Sequence, residues 1–204
     1  MDGFTPLQLD ALKEISSISA GSASTALSQF INKTVKMHPP DIVPLSQTAD
    51  CCSYSETDIV IMHSQIHKGL VGKIIFTCSR GTLRFLFRML LGDEHNTSRD
   101  CLSEMEQSSL KEIGMMMFGS YVKVLGGVIG RPLLIKPPQL WIGIKEESAP
   151  YISEHILVSL RNTLCFKSHL WVEEETLLSI FLVFIPQDEY IRVLLEAVGF
   201  TNRA

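Results

Sequence analysis

The segment LKEISSISAG, Leu12 to Gly21, returns as LKEIGMMMFG, Leu110 to Gly119. The offset of 98 residues holds beyond that segment, carrying Leu27 and Ile31 onto Leu125 and Ile129 and Pro39-Pro40 onto Pro137-Pro138. Ten ungapped identities in one register mark an internal duplication. A duplication constrains architecture strongly, because each copy has to build the same supersecondary unit. The starts of the copies agree as well. Thr5-Pro6-Leu7-Gln8 reads as a capping box with proline at the first helical position, and Ser103 with Glu106 is a second capping box at the same offset. Phe4 and Leu9 add a hydrophobic staple to the first copy, whereas Leu102 meets Gln107 in the second and the staple is lost.

Each half then reads alike: a long helix at about 5–32 and 103–129, an exit marked by the proline pair, two or three strands, and a closing amphipathic helix. Strands are expected at IVPLSQ, DIVIMHSQIH and LVGKIIFTC in the first half. In the second they are expected at LLIKPPQLWIGIK, HILVSLRNTLCF and HLWVEEETLLSIFLVFIP. The closing helices are GTLRFLFRMLLG and DEYIRVLLEAVGF, and the polar stretch GDEHNTSRD joins the halves. The fold class is therefore α+β: a mostly antiparallel sheet with long helices packed on it and a pseudo-two-fold internal repeat. One domain is expected over 1–204, built of repeats at about 5–91 and 103–200.

With 46% hydrophobic residues in 204, the chain can bury a core without staples. Its 18 basic and 22 acidic residues are dispersed, and no Lys/Arg block is present to track a phosphate backbone, which argues against nucleic acid. The apolar run LLSIFLVFI is far shorter than the roughly 20 residues that cross a bilayer. The acidic N-terminus has no basic n-region or long apolar h-region. A cytoplasmic protein with no membrane partner is the expectation.

Five cysteines without CxxC spacing argue against a disulfide framework or a structural zinc site. The adjacent Cys51-Cys52 pair lies in a loop-like stretch, where a redox or metal role is less favoured than an ordinary structural one. His63 and His67 are four apart, but DIVIMHSQIH is β-branched and reads as a strand, and no third ligand is near. No metal site and no cofactor are expected.

At about 100° per residue, Leu12, Ile15, Ser19, Ala23, Ala26 and Phe30 fall on one side of the first helix, the expected core face. Asp10, Glu14, Ser17 and Gly21 fall opposite, with Ser16 off that stripe. In the second copy Leu110, Ile113, Met117, Tyr121 and Val124 form the core face, and Ser108, Glu112, Met115 and Gly119 form the outer stripe. A mid-helix glycine costs about 1 kcal/mol relative to alanine, so its presence in both stripes calls for a reason. Close packing within the chain and docking of a partner are the two candidates, and the repeated acidic, small and glycine positions tilt towards docking. Met115 has two readings: it caps the core edge, or it is a soft contact for a partner.

These residues resemble the signature of the CheC/CheX/FliY phosphatases of chemotaxis: Asp or Ser, three residues, Glu, two residues, Asn, twenty-two residues, Pro. The first copy supplies Asp10, Glu14, Ser17 and Pro40, and the second Ser108, Glu112, Met115 and Pro138. Three positions of four are kept in each copy, and the asparagine is absent from both. DALKEISSISAGSASTALSQFINKTV, LKEIGMMMFGSYVKVLGGVIGRPL, PPQLW and IFLVFIP are also similar to the family's helices and strands, so the resemblance spans essentially the whole chain.

The resemblance implies a protein that docks on the receiver domain of a CheY-like response regulator and hydrolyses its aspartyl phosphate. In the family, the glutamate contacts a lysine of the receiver's active site and the asparagine orients the attacking water. Glu14, Ser17 and Glu112 are then the catalytic candidates, and Asp10, Gly21, Ser108, Met115 and Gly119 the partner-binding ones. Any Mg2+ would belong to the receiver. A serine hydroxyl is shorter than a carboxamide, and a thioether is only a weak acceptor with nothing to donate. The first site is therefore expected to be impaired and the second inert.

The alternative is a non-catalytic module binding a receiver domain or CheD, of the kind seen in the middle domain of the switch protein FliM. FliY-like and FliM-like proteins carry a further C-terminal switch domain not found in this sequence, which favours a free-standing CheC-like regulator. A serine hydrolase built on Gly21-Ser22-Ala23-Ser24 fails on context, because these residues lie inside a helix with no preceding strand and no GxSxG elbow.

Overall fold

The computed structural model describes residues 5–43, 58–92, 102–156, 164–172, 176–184, 188–197 and 199. Helix α1 (Pro6–Ile31) opens with the expected capping box: Thr5 Oγ1 accepts from the Gln8 amide, and the Gln8 side chain accepts from the Thr5 amide at 2.9 Å. Helix α3 (Glu104–Val128) repeats it with Ser103 and Glu106. Where the second staple is missing, Gln107 Nε2 instead donates to the Leu102 carbonyl at 3.1 Å. Phe4 lies outside the described residues.

Between the long helices lie β1 (Val35–Met37), β2 (Asp41–Val43), β3 (Asp58–Lys68), β4 (Gly72–Ser79) and α2 (Arg80–Leu91). After α3 come β5 (Leu134–Ile135), β6 (Gln139–Ile144), α4 (Lys145–Tyr151) with a π-helical turn (Ile152–Ile156), β7 (Leu164–Val172), β8 (Thr176–Phe184) and α5 (Asp188–Ala197). The expected α+β architecture with an antiparallel sheet holds: every strand pair is antiparallel.

Three expectations are corrected. His155 and Ile156, read as the start of a strand, belong to the π-helical turn, and the strand is described over Leu164–Val172. The run HLWVEEETLLSIFLVFIP splits between β7 and β8, and LLIKPPQLWIGIK is cut by its prolines into β5 and β6. Of IVPLSQ, only Ile42 and Val43 fall in a described strand. Residues 157–163, 93–100, Cys51, Cys52 and Cys101 lie outside the described residues.

The sheet order β1-β7-β8-β4-β3-β5, with β2 also on β7 and β6 also on β3, reads the same after the halves are exchanged. The short strands of each half pair with the long outer strand of the other. The prolines explain why these short strands come in twos. Proline cannot donate to a ladder, so Pro39-Pro40 separates β1 from β2 while both remain on β7, and Pro137-Pro138 separates β5 from β6 on β3.

The carbonyl preceding each proline pair is held from the opposite half. Ser168 Oγ on β7 donates to the His38 carbonyl at 2.8 Å, and Ser64 Oγ on β3 donates to the Lys136 carbonyl. The adjoining amides are paired in step, His38 N–H to His169 O and Lys136 N–H to Gln65 O, both at 2.9 Å. Both serines are buried.

One face of the sheet presents Val60, Met62, Ile74, Phe76, Phe166 and Leu170 to α1, α2, α3 and α5 in one core. On the other face Ile59, Ile61 and Ile75 are fully buried, and α4 packs against β3 and β6. There His63 Nε2 is hydrogen-bonded to Tyr151 Oη at 2.9 Å. Burial, then the nearby Lys73 and His155 charges, lower the His63 pKa to about 4, so the ring is neutral at physiological pH. Among the described residues no helix is long and apolar enough to cross a membrane.

Helices α1 and α3 pack on each other around one polar bridge, Ser16 Oγ to Tyr121 Oη at 2.7 Å, both groups buried. Leu12 and Leu125 line a single cavity, so as α1 advances from 12 to 16 its neighbours on α3 recede from 125 to 121. The helices are antiparallel. At the positions related by the 98-residue offset stand Gly114 and Ala23. A side chain at Gly114 would collide with the Met62 thioether, so the symmetric bridge cannot form there.

Leaving a buried hydroxyl without its partner costs about 1–3 kcal/mol. Tyr121→Phe, which strands Ser16, is expected to cost that much in chemical denaturation. Adding Ser16→Ala should recover part of the loss, since it removes the unpaired group. Ser168→Ala should cost about 1 kcal/mol by the same reasoning, because it strips a buried side-chain donor from the His38 carbonyl.

Candidate functional site

The buried face of α1 consists of Leu12, Ile15, Ser16, Ser19, Ala20, Ala23, Ser24, Leu27 and Ile31, and that of α3 runs from Glu106 and Leu110 through Tyr121 and Val122 to Gly126. Two expected core residues sit at its margin, Ala26 and Val124, and Phe30 is exposed. The reason is that α1 and α3 bury surface against each other as well as against the sheet. This turns the buried arc towards Ser16 and Ala20 and away from Phe30.

The outer stripes stand where expected. Asp10, Glu14, Ser108, Glu112 and Met115 are exposed, and Ser17, Gly21 and Gly119 are half-buried. Of the three consecutive methionines, Met115 is 43% exposed, Met116 is half-buried and Met117 is fully buried. Met115 therefore lies on the surface rather than on the core edge. Because α1 and α3 are antiparallel neighbours, the two stripes lie side by side and run in opposite directions.

Neither Asp10, Glu14 nor Glu112 has an ion-pair or hydrogen-bond partner among the described residues. The hydroxyls around Ser17 are mostly committed: Ser16 to Tyr121, Ser19 to the Ile15 carbonyl at 2.9 Å, and Thr25 to the Gly21 carbonyl at 2.9 Å. Ser17 makes no such bond among the described residues, so its hydroxyl is available to water or to a partner, one turn beyond Glu14. Met115 presents only sulfur at the corresponding place.

The stripe glycines are not there for internal packing. A Cβ at Gly21 or Gly119 would meet nothing within 4 Å, in contrast to Gly114 against Met62. The cavity between α1, α3, β7 and α5 measures only about 10 Å³ and is apolar, lined by Leu12, Leu70 and Phe166 among others. It holds at most a water. The candidate residues themselves lie on the open helix surface, away from this cavity. Among the described residues no cluster of three His, Cys, Asp or Glu is placed to hold a metal.

Three exposed apolar residues share these stripes and carry no catalytic chemistry: Leu7, Ile18 and Met105. Leu7 and Met105 are 98 residues apart, so the repeat itself was the signal that could have singled them out.

Comparison with known proteins gives similarity in sequence and in fold. Residues 7–43, spanning α1 to β2, match the CheC-like family. The flagellar motor switch phosphatase FliY of Bacillus subtilis (strain 168) is 24% identical over 142 residues, covering 69% of this chain and 37% of FliY. The CheY-P phosphatase CheC of the same organism is 22% identical over 142 residues, covering 68% of each chain. The matched segment thus spans little more than a third of FliY.

In fold, the crystal structure of Thermotoga maritima FliY superposes with a TM-score of 0.69 at 18% identity, covering 95% of this chain and 96% of that one. CheX in the CheX–CheY–BeF3–Mg2+ complex from Borrelia burgdorferi does so with a TM-score of 0.55 at 17% identity, covering 84% and 99%. The resemblance to the CheC/CheX/FliY proteins read from the residues is thus borne out in the sequence of the first helix and in the fold.

Because Gly21 and Gly119 are helical and unobstructed, alanine should fit both. Gly21→Ala and Gly119→Ala are each expected to raise stability by about 0.5–1 kcal/mol, read as a higher thermal midpoint. A loss of stability would reveal an intramolecular packing role.

Proposed function

We propose that this chain docks on the receiver domain of a CheY-like response regulator through the two outer stripes and hydrolyses its aspartyl phosphate only weakly. The observation that carries the reading is the pair Glu14 and Glu112: exposed, unpartnered, related by the repeat, and each followed three residues later by something other than an amide. Support for the partner comes from the relatives, since CheC is a CheY-P phosphatase and CheX is seen in complex with CheY.

On this reading Glu14 and Glu112 pair with a cationic side chain beside the phosphorylated aspartate, and the half-exposed Ser17 hydroxyl holds the attacking water imperfectly. Phosphoryl transfer depends mainly on positioning and electrostatics. A group too short to set the water in line therefore loses rate without losing affinity. Met115 cannot order a water at all, which makes the α3 stripe a binding surface. Mg2+ is the receiver's, and this chain needs no cofactor of its own.

The second reading is a purely non-catalytic adaptor for a receiver domain or for CheD, and the specific observation favouring it is the loss of the amide in both copies. In either case the protein acts in the cytoplasm, where response regulators work.

The decay of a phosphorylated CheY receiver, followed with and without the protein, separates the two. The expected result is weak acceleration, abolished by Glu14→Ala. Ser17→Asn restores the amide and should raise the rate by about tenfold or more, on the scale that misplacement of a reacting group by about 1 Å commands. A rate unmoved by Ser17→Asn would count against the assignment of Ser17. Binding with no acceleration in any variant would leave the adaptor.

A further inference from the structure

Eight large apolar side chains are exposed among the described residues, and five of them (Leu7, Ile18, Phe30, Met105 and Met115) are on α1 and α3. Single exposed apolar residues need no explanation; their arrangement here does. Leu7 is 64% and Met105 58% exposed, each at the second position of its helix and 98 residues from the other.

Taking about 100° per residue, Leu7, Glu14 and Ile18 lie within about 40° of one another on α1. Met105 and Glu112 are equally aligned on α3, with Met115 at the flank. Each glutamate is thus bracketed along the helix by apolar side chains, over about 16 Å from Leu7 to Ile18. The open backbone at Gly21 and Gly119 extends the same strip.

We infer that Leu7 and Met105 are binding anchors, the apolar halves of two equivalent epitopes whose charged halves are Glu14 and Glu112. This rests on the docking proposed above and names what else the partner's surface must offer: a cation ringed by apolar groups. Covering an unpaired carboxylate with a purely apolar surface would bury it uncompensated, so the occupant supplies a positive side chain at the centre. The acidic centre equally disfavours a nucleic acid or an anionic lipid surface. The occupant is therefore a protein, and we assign it as the activated receiver domain.

The anchors are remote from the water-holding position at Ser17, so they govern affinity rather than the chemical step. They also occupy first-turn positions whose side chains take no part in the capping-box hydrogen bonds, so a polar residue there leaves the fold intact.

The test is titration of the full chain with a CheY receiver domain loaded with beryllofluoride and Mg2+. Leu7→Gln combined with Met105→Gln is expected to weaken binding by tenfold or more, with thermal midpoint and helical signal unchanged, while Leu7→Met keeps wild-type affinity. Glu14→Ala with Glu112→Ala serves as the reference. If the glutamate variants weaken binding and the glutamine variants do not, the anchors are overturned and the docking stands. If wild type does not bind, or no variant alters binding, the docking reading itself fails. Sedimentation adds one further outcome: self-association of the wild type that the glutamine variants abolish, with receiver affinity unchanged, would make the anchors a dimer contact and overturn their assignment to the receiver.

Discussion

The two halves share one sheet because β4 pairs with β8 across the duplication, and the crossed hydrogen bonds at the proline exits tie the short strands of each half to the other. Proline frees the chain from β-pairing just where it leaves a long helix, and a freed buried carbonyl has to find a donor. Here the donor is a buried serine on the other half's outer strand, Ser168 for His38 and Ser64 for Lys136. Once these are made, β1 and β2 are committed to β7, and β5 and β6 to β3. Helices α1 and α3 are thereby brought side by side with their outer stripes facing away from the sheet.

Those stripes divide the labour of each helix by angle. The buried arc packs against the sheet and the other long helix, with Ser16 and Tyr121 satisfying each other where the helices meet. The opposite arc is not needed for folding, because its carboxylates are unpaired and its glycines are unobstructed. Residues free of folding duty can be set by recognition instead. In this chain that freedom coexists with a serine and a methionine where a carboxamide would be needed to place a water.

Much of this was legible in the sequence, for identifiable reasons. The helix limits followed from Thr5-Gln8 and Ser103-Glu106, since a capping box is a local device whose hydrogen bonds span three residues. The outer stripe followed from helical periodicity. The arc of burial was less accurate, because it depends on the direction from which the other helix approaches, and Ser16 reaches Tyr121 across 105 residues of chain. The serines at the proline exits escaped notice for a related reason. Ser64 and Ser168 lie 104 apart whereas the helices repeat at 98, so a fixed register passes over them; the second half has more residues ahead of its long outer strand. Helix α4 itself carries no local start signal, since Ile144 precedes it without a side-chain cap and Pro150 lies inside it.

The strand exchange also has a consequence for how the molecule comes into being. Val35 is paired with Val172 and Asp41 with Lys167. As the chain leaves the ribosome, β1 and β2 therefore lack the β7 ladder until β7 has been made, and Leu12 and Ile15 wait on α3 for part of their cover. Contacts of such sequence separation form late and slowly. The duplicated halves, for all their likeness, cannot be completed one after the other: the short strands of each have no ladder to join until the other's long strand is in place.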